Sequence, residues 1–307
     1  MVKIKAKYNE KIINVFAKLE FYNYTGSIKD RLAYYLINES YKNGSLKKGM
    51  PIVEATSGNT GISFAALGAY YGHPVHIFMP DWTSMERVNI MRLYGAKVYL
   101  VSKEDGGFKE AIKRADALAR KIDGYRPDQF NNPFNVEMHY KITGKEIVNK
   151  LDDVEAFVSG IGTGGTLMGI AKKLKEKFKD ISIVALEPDS LPIMTKGITS
   201  GSHKIEGIGD EFIPSIVDIQ LIDEIIPIND KDAINMARIL AKKLGLGVGI
   251  SSGANFLAAI LSGKSKVVTV FADDFKKYLS TELANNVNYD EKLVSNKIEL
   301  LDLQYID

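Results

Sequence analysis

Short apolar runs alternate with amphipathic stretches of helical period along most of this sequence, and that alternation limits the fold more than any other feature. Residues 51–55, 75–79, 97–101, 156–159, 181–186 and 266–271 read as strands. Residues 62–70, 85–94, 107–122, 135–150, 167–177, 231–244 and 253–261 carry the spacing of helices. Strand, helix and strand in succession build parallel sheet with helical crossovers. The rhythm pauses at 128–133 and loosens again over 188–228, where prolines and glycines predict loop. Residues 14–20 alternate like one further strand near the start, while the charged and polar tail 278–307 gives no functional signal. With 307 residues, 45% of them hydrophobic, there is interior for one large or two medium domains. The economical arrangement is an α/β chain of two αβα lobes with mostly parallel sheets meeting at a cleft, ligands lying at the carboxyl ends of the strands.

Charge and cysteine content narrow the partners. Lys and Arg number 40 against 38 Asp and Glu, a net charge of +2, which argues against nucleic acid or an anionic membrane surface. No apolar run approaches the ~20 residues of a membrane span, and residues 1–5 have no signal-peptide core after them. With no cysteine there is no disulfide, thiolate metal site or cysteine nucleophile. His73, His76, His139 and His203 make no metal-ligand pattern, so no metal is expected and they read as structural. A cytoplasmic enzyme acting on a small molecule fits.

Three strand-to-helix loops stand out. Thr56-Ser57-Gly58-Asn59-Thr60-Gly61 sets hydroxyls, an amide and backbone N–H groups at a helix start, a natural seat for a carboxylate. Plain capping needs one such residue, and here there are four around two glycines. Gly160-Ile161-Gly162-Thr163-Gly164-Gly165-Thr166 lets the backbone fold its N–H groups onto a phosphate. It also matches the dinucleotide fingerprint at Gly160, Gly162 and Gly165, with Glu187 about 20 residues on, so an NAD-binding Rossmann dehydrogenase competes. Val248-Gly249-Ile250-Ser251-Ser252-Gly253-Ala254-Asn255 opens another helix, which its two serines could simply cap. Ser251 gains interest only if a heteroaromatic nitrogen needs a hydroxyl partner.

The dehydrogenase reading leaves one stretch unexplained. In Asn23-Tyr24-Thr25-Gly26-Ser27-Ile28-Lys29-Asp30-Arg31, a lysine sits where an amphipathic helix begins, with Gly26 allowing a tight bend before it. Facing the positive end of a helix with little water around it, Lys29 would lose its proton more readily than in solvent. A neutral lysine amine is what Schiff-base chemistry requires.

Taken together these stretches resemble the cysteine synthase and cystathionine β-synthase family, the fold type II pyridoxal-phosphate enzymes. The family's lysine motif corresponds to residues 23–31, its T-S-G-N-T-G loop to 56–61, its G-T-G-G-T loop to 162–166 and G-I-S-S-G-A to 249–254. Gln129-Phe130-Asn131-Asn132-Pro133 with His139, Thr143 and Gly144, and Glu206-Gly207-Ile208-Gly209, also resemble it. The resemblance implies a tryptophan synthase β-subunit-like fold, with a smaller mobile lobe at 30–135 and a larger lobe of 1–29 plus 136–307. It implies pyridoxal 5'-phosphate held by Lys29 as an internal aldimine, by Asn59 at the 3′ oxygen, by Gly162, Thr163, Gly164, Gly165 and Thr166 at the phosphate, and by Ser251 at the ring nitrogen. Thr56, Ser57, Thr60 and Gln129 would hold the substrate α-carboxylate. The implied reaction is β-replacement through an aminoacrylate, in a cytoplasmic homodimer working on a small amino acid.

Two departures matter. The family's opening I-G-x-T-P-L is absent, which bears on dimer geometry, and Tyr24 replaces the motif's proline. After Gly209, where cysteine synthases usually carry a small or uncharged residue, this chain has Asp210 and then Glu211. A carboxylate near Cβ repels incoming hydrosulfide and suits acid–base work on water or a thiol. The expected activity is therefore a lyase that consumes L-cysteine and releases hydrogen sulfide, with Asp210 as acid/base. The alternatives are an O-acetylserine sulfhydrylase making L-cysteine, and a catalytically silent binding protein on the same scaffold.

Overall fold

The structure is a computed structural model and describes residues 1–285 and 292–306. The chain opens with β1 (Val2–Tyr8) and β2 (Lys11–Leu19), then runs through α1 (Lys29–Lys42), β3 (Ile52–Ala55), α2 (Asn59–Tyr71) and β4 (Val75–Pro80). It continues with α3 (Met85–Leu93), β5 (Lys97–Val101), α4 (Gly107–Lys121), α5 (Phe134–Met138), a π-helical turn at His139–Gly144, and α6 (Lys145–Val148). β6 (Ala156–Gly160), α7 (Gly165–Lys177), β7 (Ser182–Pro188), α8 (Ile193–Lys196) and β8 (Glu224–Ile228) follow. The last elements are α9 (Asp230–Leu244), α10 (Ile250–Leu261), β9 (Lys266–Phe271) and β10 (Glu299–Tyr305). Contacts divide the chain into two compact units, Asn23–Phe134 and Met1–Tyr22 with Asn135–Asp307.

The smaller unit is built on a parallel sheet of order β3-β4-β5. Every residue of β3 is buried, as befits a strand covered on both faces. α4 packs on β3 and β4 through Phe108, Ala111, Ala115 and Ala119, an apolar stripe at helical spacing. α1 packs on α2, and Tyr125 lies beside β3, bridging in parallel to Ile52.

The larger unit carries a seven-stranded sheet of order β10-β1-β2-β9-β6-β7-β8. From β2 to β8 neighbouring strands are parallel, whereas β1 runs antiparallel to both β2 and β10. α10 is apolar nearly all round and buried from Ile250 to Ile260, the pattern of a core helix. Each large side chain it buries, such as Phe256 and Leu257, contributes about 1.5–3 kcal/mol. α9 lies so close to α10 that a Cβ on Gly253 would stand 2.3 Å from the Ala233 carbonyl.

The alternation read from the sequence is present, with some differences. β1, β8 and β10 were not foreseen. The 135–150 helix is one run interrupted by the π turn, and α10 starts three residues early, at Ile250. Of the tail 278–307, residues 286–291 and 307 lie outside the described residues. Among the described residues no helix is long and apolar enough to cross a membrane.

Candidate active site

In the smaller unit Lys29 is the first residue of α1, as the sequence implies. The turn before it is closed by Gly26 N–H donating to the Asn23 carbonyl at 3.0 Å, with Gly26 at φ +82°. Asp30 stitches this turn: its carboxylate accepts from Thr25 N at 2.7 Å, Thr25 Oγ1 at 2.5 Å and Ser63 Oγ at 2.7 Å. Ser63 belongs to α2, and its Oγ also lies 3.0 Å from the Asn59 carbonyl. One buried aspartate thus ties the lysine turn to the helix that opens with Asn59 and Thr60.

The 56–61 loop is not an ordinary cap. The N-cap of α2 is Gly58, at φ +155°, and no side chain caps the helix. Only glycine suits that position: an added Cβ would lie 2.1 Å from Cδ of Arg87, a buried arginine of α3. Thr56 Oγ1 instead accepts the Gly58 N–H at 3.0 Å, while Ser57 and Asn59 are half-buried. Thr60 Oγ1 donates to Gln129 Oε1 at 2.6 Å, and Gln129 Nε2 donates to the Ala55 carbonyl at 3.0 Å. The structure therefore brings Thr56, Thr60 and Gln129 into one buried polar cluster at the carboxyl end of β3.

In the larger unit the glycine loop joins β6 to α7. An added Cβ would lie 2.3 Å from the Gly207 carbonyl oxygen at Gly162, 2.3 Å from Val217 Cγ2 at Gly164 and 2.0 Å from Asn135 Oδ1 at Gly165. Bare backbone is required at each, and it ends in the first turn of α7, whose opening amides have no partner within the helix. Thr163 Oγ1 accepts from Asn135 Nδ2 at 2.9 Å, and Thr166 Oγ1 lies 3.2 Å from His139 Nε2. His139 Nδ1 is in turn 3.0 Å from Thr143 Oγ1, so the π turn holds the loop in place. A cradle of amides and two hydroxyls, with no room for side chains, fits a phosphate group.

Segment 206–210 crosses this loop, with Gly209 N–H donating to the Ile161 carbonyl at 2.9 Å and its own carbonyl accepting from His203 Nε2 at 2.7 Å. Asp210, next along, is half-buried, whereas Glu211 is exposed. Ser251 lies buried in the first turn of α10, and the N-cap there is Gly249, so the serines do not cap this helix. Ser252 Oγ accepts the Ala272 N–H at 3.0 Å. One turn after Ser251, Asn255 accepts from Gly160 N at 2.8 Å and donates to the Val270 carbonyl at 2.7 Å, fastening α10 to the end of β6.

Glu187 does not serve the dinucleotide reading. It is 1% exposed, and its carboxylate accepts from Met194 N at 2.8 Å, Thr195 N at 3.1 Å and Thr195 Oγ1 at 2.5 Å. An acid committed to its own loop is not presented to a ribose. Sequence reasoning passed over Glu54, Arg126, Asn135 and Asn255, and read His139 as merely structural. Their signal was a polar residue inside or beside an apolar strand or helix.

A lysine opening a helix, a buried cluster suited to a carboxylate and a glycine cradle suited to a phosphate define an α/β enzyme for amino-acid chemistry with a phosphorylated cofactor. Comparison with known proteins identifies which. The family of pyridoxal-phosphate dependent enzymes matches residues 1–273. A cysteine synthase of Staphylococcus aureus is 40% identical over 290 residues, 92% of this chain and 93% of its own length. Cysteine synthase B of Campylobacter jejuni is 43% identical over 277 residues, 88% of this chain and 92% of its own. A hydrogen sulfide-producing enzyme from Fusobacterium nucleatum superposes with a TM-score of 0.94 at 47% identity, covering 100% of this chain and 94% of that one. An aspartate-to-asparagine mutant of a hydrogen sulfide-producing enzyme, complexed with an α-aminoacrylate intermediate, matches at 47% identity and a TM-score of 0.94 over 99% of this chain and 95% of that one. The chain belongs to the cysteine synthase family of pyridoxal-phosphate-dependent enzymes and catalyses β-replacement.

Proposed function

We propose that the chain consumes L-cysteine, releasing hydrogen sulfide from Cβ and adding water or a second thiol there. The observation that carries this reading is Asp210, half-buried on the segment that crosses the glycine loop. Pyridoxal phosphate, when bound, supplies the electron sink that makes the Cα proton removable. Lys29 holds the cofactor and moves that proton at its Nζ. Gly162, Thr163, Gly164, Gly165 and Thr166 take the phosphate, Asn59 the 3′ oxygen and Ser251 the ring nitrogen. Thr56, Ser57, Thr60 and Gln129 bind the α-carboxylate. Asp210 passes a proton to the departing thiolate and takes one from the entering water or thiol. Acetate, a far weaker base than a thiolate, needs no such acid to leave.

The likeness to hydrogen sulfide-producing enzymes supports this direction. Asp210→Asn should lower sulfide release from L-cysteine by about 100-fold or more, the usual range for a lost general acid–base. Unchanged turnover would remove Asp210 from the chemistry. A second reading, O-acetylserine sulfhydrylase, is favoured by the curated relatives named cysteine synthases. Rates with L-cysteine alone and with O-acetylserine plus sulfide decide between them. The same reading carries a cytoplasmic homodimer, which sedimentation of the holoenzyme tests.

A further inference from the structure

Gln129 is held from β3 and from the first turn of α2. Its backbone N–H donates to Glu54 Oε2 at 3.3 Å, its Nε2 to the Ala55 carbonyl at 3.0 Å, and its Oε1 accepts from Thr60 at 2.6 Å. Glu54 is itself 0% exposed, a carboxylate inside a parallel strand. Its Oε1 accepts the Ala55 N–H at 2.7 Å and forms an ion pair with Arg126, whose Nε donates to Asp116 of α4 at 2.8 Å. Burial pushes the Glu54 carboxyl upward and the Arg126 cation opposes it. A buried pair is weak support for stability alone, since apolar side chains of the same volume serve as well.

What apolar side chains cannot supply is the fastening of 125–129. Four residues earlier, Tyr125 is clipped to the same edge of that strand, its N–H donating to the Pro51 carbonyl at 2.7 Å and its carbonyl accepting from Val53 N at 2.9 Å. Beyond it the segment passes through Asp128 at φ +50°, a costly conformation for a residue with a side chain. Arg126 and the Gln129 amide both end on Glu54, one on each carboxylate oxygen. The segment is thereby pinned at each end, with Gln129 set against Thr60.

We propose that the buried Glu54–Arg126 pair is the positioning device for substrate binding: it presents Gln129, with Thr60, to the α-carboxylate of the amino acid, and so sets affinity rather than the rate of bond-making. The proposal rests on the assignment of Gln129 to that carboxylate. Its test is steady-state kinetics of the holoenzyme with L-cysteine for Glu54→Gln, Gln129→Ala and the double variant. Glu54→Gln should raise KM about tenfold, the loss of one charge-assisted hydrogen bond, with kcat within about twofold. The visible absorbance of the resting holoenzyme should not move. If Glu54 acts through Gln129, the double variant has the KM of Gln129→Ala alone.

An unchanged KM in Glu54→Gln, a loss confined to kcat, or two effects that multiply would each overturn the proposal. A Gln129→Ala enzyme with wild-type KM overturns the assignment of Gln129 itself, and that outcome is distinct from the others. Should Glu54→Gln yield no holoenzyme, Arg126→Lys keeps the cation but loses the fork that reaches Asp116. It should give a smaller rise in KM, and a wild-type KM in that folded variant again overturns the proposal.

Discussion

Gly162 shows how little freedom one position has. Its missing side chain would meet the Gly207 carbonyl oxygen at 2.3 Å, a backbone atom on a segment held by the Gly209–Ile161 hydrogen bond. Backbone so fastened cannot yield as a side-chain end does. Gly162→Ala should therefore cost about 1–3 kcal/mol of stability by overpacking and lower the bound cofactor, read from the absorbance of purified protein. Retained cofactor and an unchanged melting temperature would show that the cradle relaxes freely. Asp230, at the first position of α9, makes a pH-dependent case. Burial raises its carboxyl above the ordinary 3.8, although the Lys204 N–H and the charge of His203 oppose that. The stability this group contributes is full below its unfolded value and is lost as pH rises through the folded one. Asp230→Asn should thus gain on the wild type from about pH 4 upward, read as the difference of melting temperatures against pH; a constant difference overturns the argument. At this scale Lys29, Thr56, Gly162 and Asp210 stood out as candidates because loop chemistry marks itself with glycines, hydroxyls and isolated charges. Glu54 did not, because one acid within Pro51-Ile52-Val53-Glu54-Ala55 reads as a strand's solvent face until the sheet shows both faces covered.

Elements were legible where burial prints a pattern, and less so elsewhere. β10 is mostly exposed along Glu299–Tyr305, so no apolar face marks it in the sequence. β1 does alternate, with Val2, Ile4 and Ala6 buried between Lys3, Lys5 and Lys7, but an alternation this short gives little signal by itself. The π turn leaves no mark either, since inserting one residue into a helix changes the backbone and not the composition. It is betrayed only by its neighbours: a Cβ on Gly169 of α7 would stand 2.4 Å from the Val136 carbonyl and 2.5 Å from His139 Cβ. The role of β10 follows from its pairing. It covers the outer edge of β1 from Val2↔Tyr305 to Lys7↔Glu299, and Ile306 N–H continues to the Met1 carbonyl at 3.0 Å. Without it β1 presents a row of unpaired backbone groups, a template for edge-to-edge association. Deleting 299–307 should lower the melting temperature and produce oligomers by light scattering, while cofactor-loaded protein keeps its sulfide-releasing rate. A monodisperse truncation with the original melting temperature would show that this edge needs no cover.

Over the whole molecule, the assigned residues are distributed between two units, Asn23–Phe134 and the remainder, where the resemblance implied lobes of 30–135 and of 1–29 plus 136–307. Lys29, Thr56, Thr60 and Gln129 belong to Asn23–Phe134, whereas the glycine loop, Asp210 and Ser251 belong to the other unit. Strand and helix periods say nothing about which segment packs with which, so the break before Asn23 had no sequence signal. The distribution makes cofactor removal informative. A ligand that binds only the folded chain stabilises it by RT ln(1 + [L]/Kd), about 2.7 kcal/mol at a hundredfold excess over Kd. Stripped protein should melt lower than the yellow form and recover fully on addition of pyridoxal phosphate. Pyridoxine 5'-phosphate keeps the phosphate, the ring nitrogen and the 3′ oxygen but has no aldehyde for an amine to attack. It should restore only the part of the shift that the glycine loop, Ser251 and Asn59 supply. The remainder is then the bond to Lys29, so in Lys29→Ala the two compounds should restore equal amounts. If pyridoxal phosphate still outperforms its alcohol in that variant, the amine that holds the aldehyde is not the one at the start of α1.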